Sequence, residues 1–217
     1  CERTGQEALA LLHAENCPDE TMDLILSPDQ MLLQIHESIG HPLELDRILG
    51  DERNYAGWSF VKPEDFGTLQ YGSSLMNIVF DPGLPGEFAG YAFDDGGAPA
   101  EREYLIREGL LLRGLGGLES QHRSGIPGVA NFRSSSWNRA PIDRMANINL
   151  EPGTTSFDAM LSQVERGVYM QSNRSWSIDD YRNKFQFGCE YAQLIEDGRL
   201  GRILKNPNYR GITLPFW

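Results

Sequence analysis

The chain has 217 residues and a net charge of −12, with 40% hydrophobic and 23% charged residues, which is typical of a globular protein with a substantial core. The negative charge argues against binding a nucleic-acid backbone, and no apolar run approaches the ~18 residues of a membrane span. Three cysteines far apart in the sequence do not form a disulfide framework, so we expect a reducing compartment, the cytoplasm. The sequence begins at Cys1, which indicates a missing upstream segment; a mature lipoprotein is the less favoured alternative.

Two helices and a strand are predicted in the first part of the chain. Helical spacing of apolar residues predicts a helix over 5–14, and alternation predicts a strand over 22–26. Ser27 and Pro28 are typical of a helix start. The second helix is therefore predicted over 28–41.

From residue 54 onward, short β-type segments alternate with Gly, Pro, Asp and Asn, which predicts mainly antiparallel strands. The expected strands are 76–80, 103–107, 110–113, 146–151, 185–189 and 191–195, with hairpin turns at Glu108-Gly109 and Asp197-Gly198. One more helix is predicted over 156–166, with Gly167 as its C-cap.

These elements predict one α+β domain over 1–217. It comprises a helix–strand entry segment (1–27), the helix over 28–41, and a mostly antiparallel curved sheet or partly closed β-barrel over 54–217, against which that helix packs.

The stretch from His36 to His41 places a glutamate, Glu37, beside two imidazoles. Imidazole is a preferred zinc ligand, and a glutamate that stays off the metal can take a proton from water that the metal activates. The histidines are five residues apart, which turns the second ring ~140° away from the first in a regular helix. The pattern therefore predicts a π-bulge or unwinding before His41, with Gly40 at the point where distortion is easiest. The alternative is a polar helix end at the surface.

A catalytic zinc usually needs a third protein ligand. The candidates are His13, Cys17, Glu44, Asp46, His122 and Cys189. Alternation places Cys189 on one strand face with Phe185 and Phe187, so the pattern alone favours a small buried core residue there. A nucleophilic Cys189 is a further alternative, which nothing in the sequence supports.

The segment 121–144 is rich in arginine, serine, glycine and asparagine and is predicted to be a long surface loop. It is either a solvated connector or a segment that holds a peptide. Arg133 and Arg139, with Asn147 just beyond, are the candidate substrate contacts. Asp94-Asp95-Gly96-Gly97 is more typical of a turn than of a cation site.

Several short blocks occur in one order along almost the whole chain. They are 36–44 (HESIGHPLE), 93–99 (FDDGGAP), 144–147 (RMAN), 150–153 (LEPG), 185–189 (FQFGC), 194–198 (LIEDG) and 206–212 (NPNYRGI). In these blocks the chain resembles the TldD/PmbA family of zinc peptidases, and specifically its metal-bearing TldD-type members. Members of that family are longer and carry an N-terminal domain, so the resemblance identifies this chain as the C-terminal catalytic domain with that first domain absent.

The resemblance implies one Zn²⁺ per chain held by His36, His41 and Cys189, with Glu37 as the catalytic glutamate. The resemblance thereby replaces the interpretation of Cys189 as an inert core residue. Fe²⁺ or Ni²⁺ would also suit these three ligands. The resemblance further implies that unfolded peptides are cleaved in an enclosed chamber. That chamber would be formed with a metal-free PmbA/TldE-type partner subunit or by self-association. If the absent domain forms that chamber, this chain alone would bind metal yet cleave poorly.

The expected function is thus a zinc-dependent metallopeptidase in which Glu37 is the general base. The alternative is a non-catalytic peptide-binding or partner module of the same fold. Its zinc site would be structural, closed by a fourth ligand such as Glu44. A cysteine hydrolase is the least favoured.

Overall fold

The computed structural model describes residues 1–217. Its α-helices are α1 (Glu2–His13), α2 (Pro28–Ile35), α3 (Leu45–Leu49), α4 (Arg53–Ala56), α5 (Leu118–Ser124), α6 (Phe157–Leu161) and α7 (Thr213–Phe216). A π-helix covers His36–Gly40, and 3₁₀ turns cover His41–Leu43 and Pro63–Asp65. None of these helices combines the length and the apolar character that a membrane crossing requires.

The strands form three sheets. They are β1 (Glu15–Asn16), β2 (Asp23–Leu26), β3 (Ile78–Phe80), β4 (Glu103–Arg107), β5 (Leu110–Leu111), β6 (Phe132–Arg133), β7 (Ile142–Asp143), β8 (Ile148–Leu150), β9 (Arg166–Ile178), β10 (Lys184–Glu196), β11 (Arg199–Lys205) and β12 (Asn208–Ile212). The orders are β1-β11-β10-β9-β2 with β12 on β10, then β5-β4-β3-β8, and the pair β6-β7. The mixed α+β class is confirmed. These strand orders are open, so closure into a barrel stays a prediction.

Contacts divide the chain into two compact units. The first consists of residues 1–34, 153–177 and 185–210, and the second of 35–152, 178–184 and 211–217.

The first unit is organised around the long strands β9 and β10. Asp23 to Leu26 of β2 pair in parallel with Gly167 to Met170 of β9. Phe185, Phe187 and Cys189 of β10 are all buried, as alternation predicts. A smaller core on this unit joins Leu161, Val164 and Ile195.

The second unit has the larger core. Its centre consists of fully buried side chains from the π-helix, the following 3₁₀ turn, the β5-β4-β3-β8 sheet and the loops beside that sheet: Ile39, Leu43, Tyr71, Ile78, Phe80, Leu105, Ile106, Leu111 and Leu115. Residues 36–43 therefore carry apolar side chains that fix this segment to the core of the unit.

Several predicted boundaries were wrong. The helix expected over 156–166 ends at Leu161, because Arg166 already belongs to β9, and Gly167 pairs with β2 instead of capping a helix. By contrast, the helix expected over 28–41 is α-helical to Ile35 and continues as the π-helix His36–Gly40, which is the distortion expected before His41. The two strands expected within 185–195 are one strand, β10. The strands β9, β11 and β12 were not predicted, because their exposed polar residues weaken the β pattern.

Candidate metal centre

The π-helix brings the two histidines of the motif onto one side of the chain. The His41 amide donates to the His36 carbonyl, an i→i+5 bond in place of the α-helical i→i+4 bond. Because a π turn holds more residues than an α turn, residues five apart come to lie nearly one above the other. The predicted distortion is therefore present, and it removes the rotation that a regular helix imposes.

Core contacts hold this π turn in place. Tyr71, which is fully buried, donates its hydroxyl to the Ser38 carbonyl at 2.6 Å. The Trp217 indole donates to Ser38 Oγ at 2.8 Å, and Ile39 lies in the core. Gly40 has ordinary helical torsions, φ −57° and ψ −66°, but a Cβ there would overlap the Met145 thioether. Glycine is needed at this position for close packing and not for conformational freedom.

The side chains of His36, Glu37 and His41 converge. One ligand atom of each lies within 4.8 Å of those of the other two, and the ring centroids of the histidines are 4.6 Å apart in an edge-to-face arrangement. Glu37 is buried, whereas His36 is exposed to solvent and His41 is half-buried. Partial desolvation, followed by the nearby His41, lowers the pKa of His36, which favours the neutral ring that binds metal.

A buried carboxylate orients His41. Glu44 is fully buried, and its Oε2 lies 3.0 Å from His41 Nδ1. The same oxygen accepts from Nε and Nη2 of the buried Arg47, at 3.2 and 2.9 Å. Burial raises the pKa of Glu44, but the His41 hydrogen bond and the charges of His41 and Arg47 lower it further, so the net shift is downward. Because an ionised carboxylate only accepts hydrogen bonds, it holds the proton on His41 Nδ1 and leaves Nε2 free for a ligand.

Glu37 forms an ion pair that the sequence did not indicate. Arg182 donates from Nη1 to Glu37 Oε2 at 2.7 Å and from Nη2 to the Ala56 carbonyl at 3.2 Å. The pair joins residues 145 positions apart in the sequence. With one oxygen committed to Arg182, the carboxylate is fixed in direction beside the two imidazoles, as a positioned proton acceptor must be.

A buried pair of aspartates, Asp46 and Asp143, supports the segment that follows the motif. Asp46 Oδ2 accepts from the Asp143 amide at 3.2 Å, and Asp143 Oδ2 accepts from the Asp46 amide at 3.0 Å. Burial, then the charges of Asp143 and Glu44, raise the pKa of Asp46 to about 7. Asp46 is therefore a structural residue that ties α3 to β7, and it is not a member of the histidine cluster.

Cys189 belongs to the first unit and is described within it. It is buried on β10, and its amide donates to the Pro207 carbonyl at 2.9 Å. Burial, followed by the charges of Asp29 and Glu190, raises the pKa of the thiol to about 12. A free nucleophilic thiolate at neutral pH is thus disfavoured. Its role as a metal ligand stays a prediction.

The remaining candidate ligands lie outside the histidine cluster. His13 and His122 are exposed on α1 and α5. Cys17 is half-buried, and burial raises its pKa. Asp94 accepts the amides of Gly96 and Ala98 at 2.9 Å, so this segment is a turn, as expected.

The candidate substrate contacts fall into two groups. Arg133 and Arg139 are exposed. Asn147 is buried, and its Oδ1 accepts the Ala89 amide at 3.1 Å, while its Nδ2 has no partner. Asn147 therefore has a structural bond and one spare donor.

Comparison with known proteins identifies the family. The family model described as the PmbA/TldA metallopeptidase C-terminal domain matches residues 19–215. The chain belongs to this family. A metalloprotease of Methanocaldococcus jannaschii is 31% identical over 95% of this chain and 44% of its own length. A protein of Saccharolobus solfataricus named as a zinc metalloprotease TldD homologue is 23% identical over 88% of this chain and 41% of its length.

The fold of this family member also matches solved structures. TldE of Thermococcus kodakarensis superposes with a TM-score of 0.78 at 18% identity, covering 99% of this chain and 47% of that one. At this identity the likeness concerns the fold alone. The chain spans less than half the length of the curated relatives described above.

Proposed function

We propose that this chain is the metal-bearing domain of a zinc-dependent peptidase that cleaves unfolded peptides. The observation that carries the proposal is the π turn, which brings the rings of His36 and His41 together with the Glu37 carboxylate, so that one ligand atom of each lies within 4.8 Å of the others. Relatives named as metalloproteases, one of them a zinc metalloprotease, support the reaction class and the metal.

The donors present suit zinc. His36 and His41 would supply imidazole nitrogen and Cys189 would supply thiolate, a set that zinc prefers and that Fe²⁺ or Ni²⁺ also accepts. The Glu44 hydrogen bond to His41 is the kind of support that metal-binding histidines usually have. When bound, the ion would supply Lewis acidity that polarises a carbonyl and makes water easier to deprotonate.

Glu37 would carry the proton through the reaction. Its carboxylate takes a proton from the attacking water and delivers it to the nitrogen of the leaving amine. The ion pair with Arg182 keeps the carboxylate aimed before the water attacks. Burial of Glu37 excludes bulk water, which would otherwise compete for that proton.

Substrate and partner follow from the family by analogy. We infer that an extended peptide is held along 121–144, with Arg133, Arg139 and the spare Asn147 donor meeting its carbonyls. The working assembly would contain a PmbA/TldE-type partner subunit or a second copy of the protein. The three unpaired cysteines fit a reducing compartment such as the cytoplasm.

The decisive experiment compares Glu37→Gln with the wild type. We expect the variant to retain stoichiometric zinc, measured by elemental analysis, and to lose cleavage of an extended fluorogenic peptide, because glutamine cannot accept the proton. Glu103→Gln is the matched control, since Glu103 lies in an exposed pair with Arg113 at 3.1 Å. Cleavage that persists in Glu37→Gln would refute the assigned base. Bound zinc without turnover in the wild type, also when the chain is part of a full-length family member, would favour a structural zinc site in a non-catalytic partner module.

A further inference from the structure

Arg182 has more hydrogen-bond donors than the structure uses. A guanidinium carries five N–H groups, of which one on Nη1 reaches Glu37 and one on Nη2 reaches Ala56. The Nε–H is buried and has no acceptor. A buried donor without a partner costs ~1–3 kcal/mol. The second N–H of Nη1 and the second N–H of Nη2 are two further donors that no group in the protein uses.

The backbone of Arg182 is held in a conformation that non-glycine residues rarely adopt. Its φ is +62°, in the left-handed region, within the turn between β9 and β10. Strain of this kind costs ~1–3 kcal/mol and persists where surrounding contacts enforce it.

Those enforcing contacts come from several segments of the same unit. The amides of Trp58 and Phe60 donate to the carbonyls of Asp180 and Tyr181 at 2.6 and 2.8 Å. Thr213 Oγ1 donates to the Arg182 carbonyl at 3.0 Å. The turn is therefore rigid, and the guanidinium is delivered to Glu37 in a preorganised position.

We propose that Arg182 is a substrate-contacting catalytic residue, whose guanidinium donates to the carbonyl oxygen of the scissile peptide bond. This inference rests on the proposed function. Because Arg182 contacts Glu37 directly, a substrate whose attacking water is deprotonated by Glu37 would also lie close to the remaining N–H groups of the guanidinium. Arg182 can therefore hold Glu37 through one N–H and the reacting oxygen through another.

The step balances in atoms and charge. Water attacks the carbonyl carbon, a C–O bond forms, and the water proton passes to Glu37. The carbonyl π electrons move onto the oxygen, which becomes an oxyanion opposite the Arg182 cation. The C–N bond then breaks, the oxygen returns its electrons to the carbonyl, and Glu37 passes the proton to the amine. The products are a carboxylic acid and an amine, and Arg182 is unchanged.

The test uses a peptide phosphinate, a tetrahedral anion that cannot be hydrolysed. Calorimetric titration of the zinc-loaded protein should show that Arg182→Met weakens phosphinate binding by roughly 10²-fold, as expected for loss of one oxyanion donor. Zinc content should not change. Arg182→Lys keeps the charge but has no planar fork, so its affinity should lie between those of the wild type and Arg182→Met. Arg166→Met is the control, because Arg166 forms only exposed pairs with Glu20 and Glu196.

Four outcomes would overturn the role of Arg182. Three concern the titration: phosphinate affinity within about threefold of wild type in Arg182→Met, full affinity in Arg182→Lys, or no phosphinate binding by the wild type. The fourth is faster peptide cleavage by Arg182→Met, because the ion pair would then restrain Glu37. Absence of peptide turnover by the wild type, also as part of a full-length family member, would instead refute the proposed hydrolysis, and the titration would still test Arg182 independently.

Discussion

Glu44 offers the sharpest test of the metal site, because it touches His41 without belonging to the predicted ligand set. Its Oε2 accepts from Arg47 at 2.9 and 3.2 Å and lies 3.0 Å from His41 Nδ1. Glu44→Gln keeps the shape of the side chain and removes its charge. An amide cannot hold the His41 proton as firmly, so we expect zinc affinity to fall ~10- to 100-fold, or ~1.4–2.7 kcal/mol.

The same substitution also affects folding. Arg47 is buried, at 1% exposure, and loses its anionic partner, which typically destabilises a protein by ~3–5 kcal/mol. The double variant Glu44→Gln/Arg47→Met removes both charges and should regain much of this loss. It should still bind zinc weakly, because His41 lacks its acceptor. The two variants therefore separate metal affinity from stability.

Zinc affinity would be measured by competition with a chromogenic chelator, and the free energy of unfolding by urea denaturation of the metal-free protein. Glu103→Gln serves as the control for loss of an exposed carboxylate. If the double variant bound zinc as tightly as the wild type, the Glu44 contact would not support a metal ligand, and the assignment of His41 would fail.

Three further changes test other parts of the site. Gly40→Ala should destabilise the protein by ~1–3 kcal/mol, since its methyl group overlaps the Met145 thioether, and Met145→Ala should recover part of the loss in urea unfolding. Cys189→Ser should weaken zinc binding by more than the ~10- to 100-fold typical of residues that only orient a ligand; an unchanged chelator titration would exclude Cys189. Burial and the charges of Asp143 and Glu44 raise the pKa of Asp46 from 3.8 to about 7. The folded state therefore binds the Asp46 proton more tightly than the unfolded state, and the free energy of unfolding falls as pH rises from 3.8 to about 7. Asp46→Asn should remove up to ~3–4 kcal/mol of this fall, and an unchanged pH profile would contradict the shift.

Local sequence determined several elements of this protein. The five-residue spacing of His36 and His41 indicated a widened helix, and the structure contains a π-helix there. Asp and Glu before glycine marked two hairpin turns, where Glu108 and Asp197 have φ of 50° and 48°. Such features depend on neighbouring residues and on torsions that those residues prefer, so they can be read from the sequence directly.

Tertiary structure alone decided which side chains support the motif. Arg182 reaches Glu37 across 145 positions, and no periodicity links two residues so far apart. Gly40 was expected to ease a distortion, yet it is required because Met145 packs against it. The helix predicted to reach residue 166 ends at Leu161 because β2 pairs with the chain from Gly167 onward. Each of these features depends on a long-range contact, and tertiary packing and strand pairing routinely override the few tenths of a kcal/mol that separate local conformations.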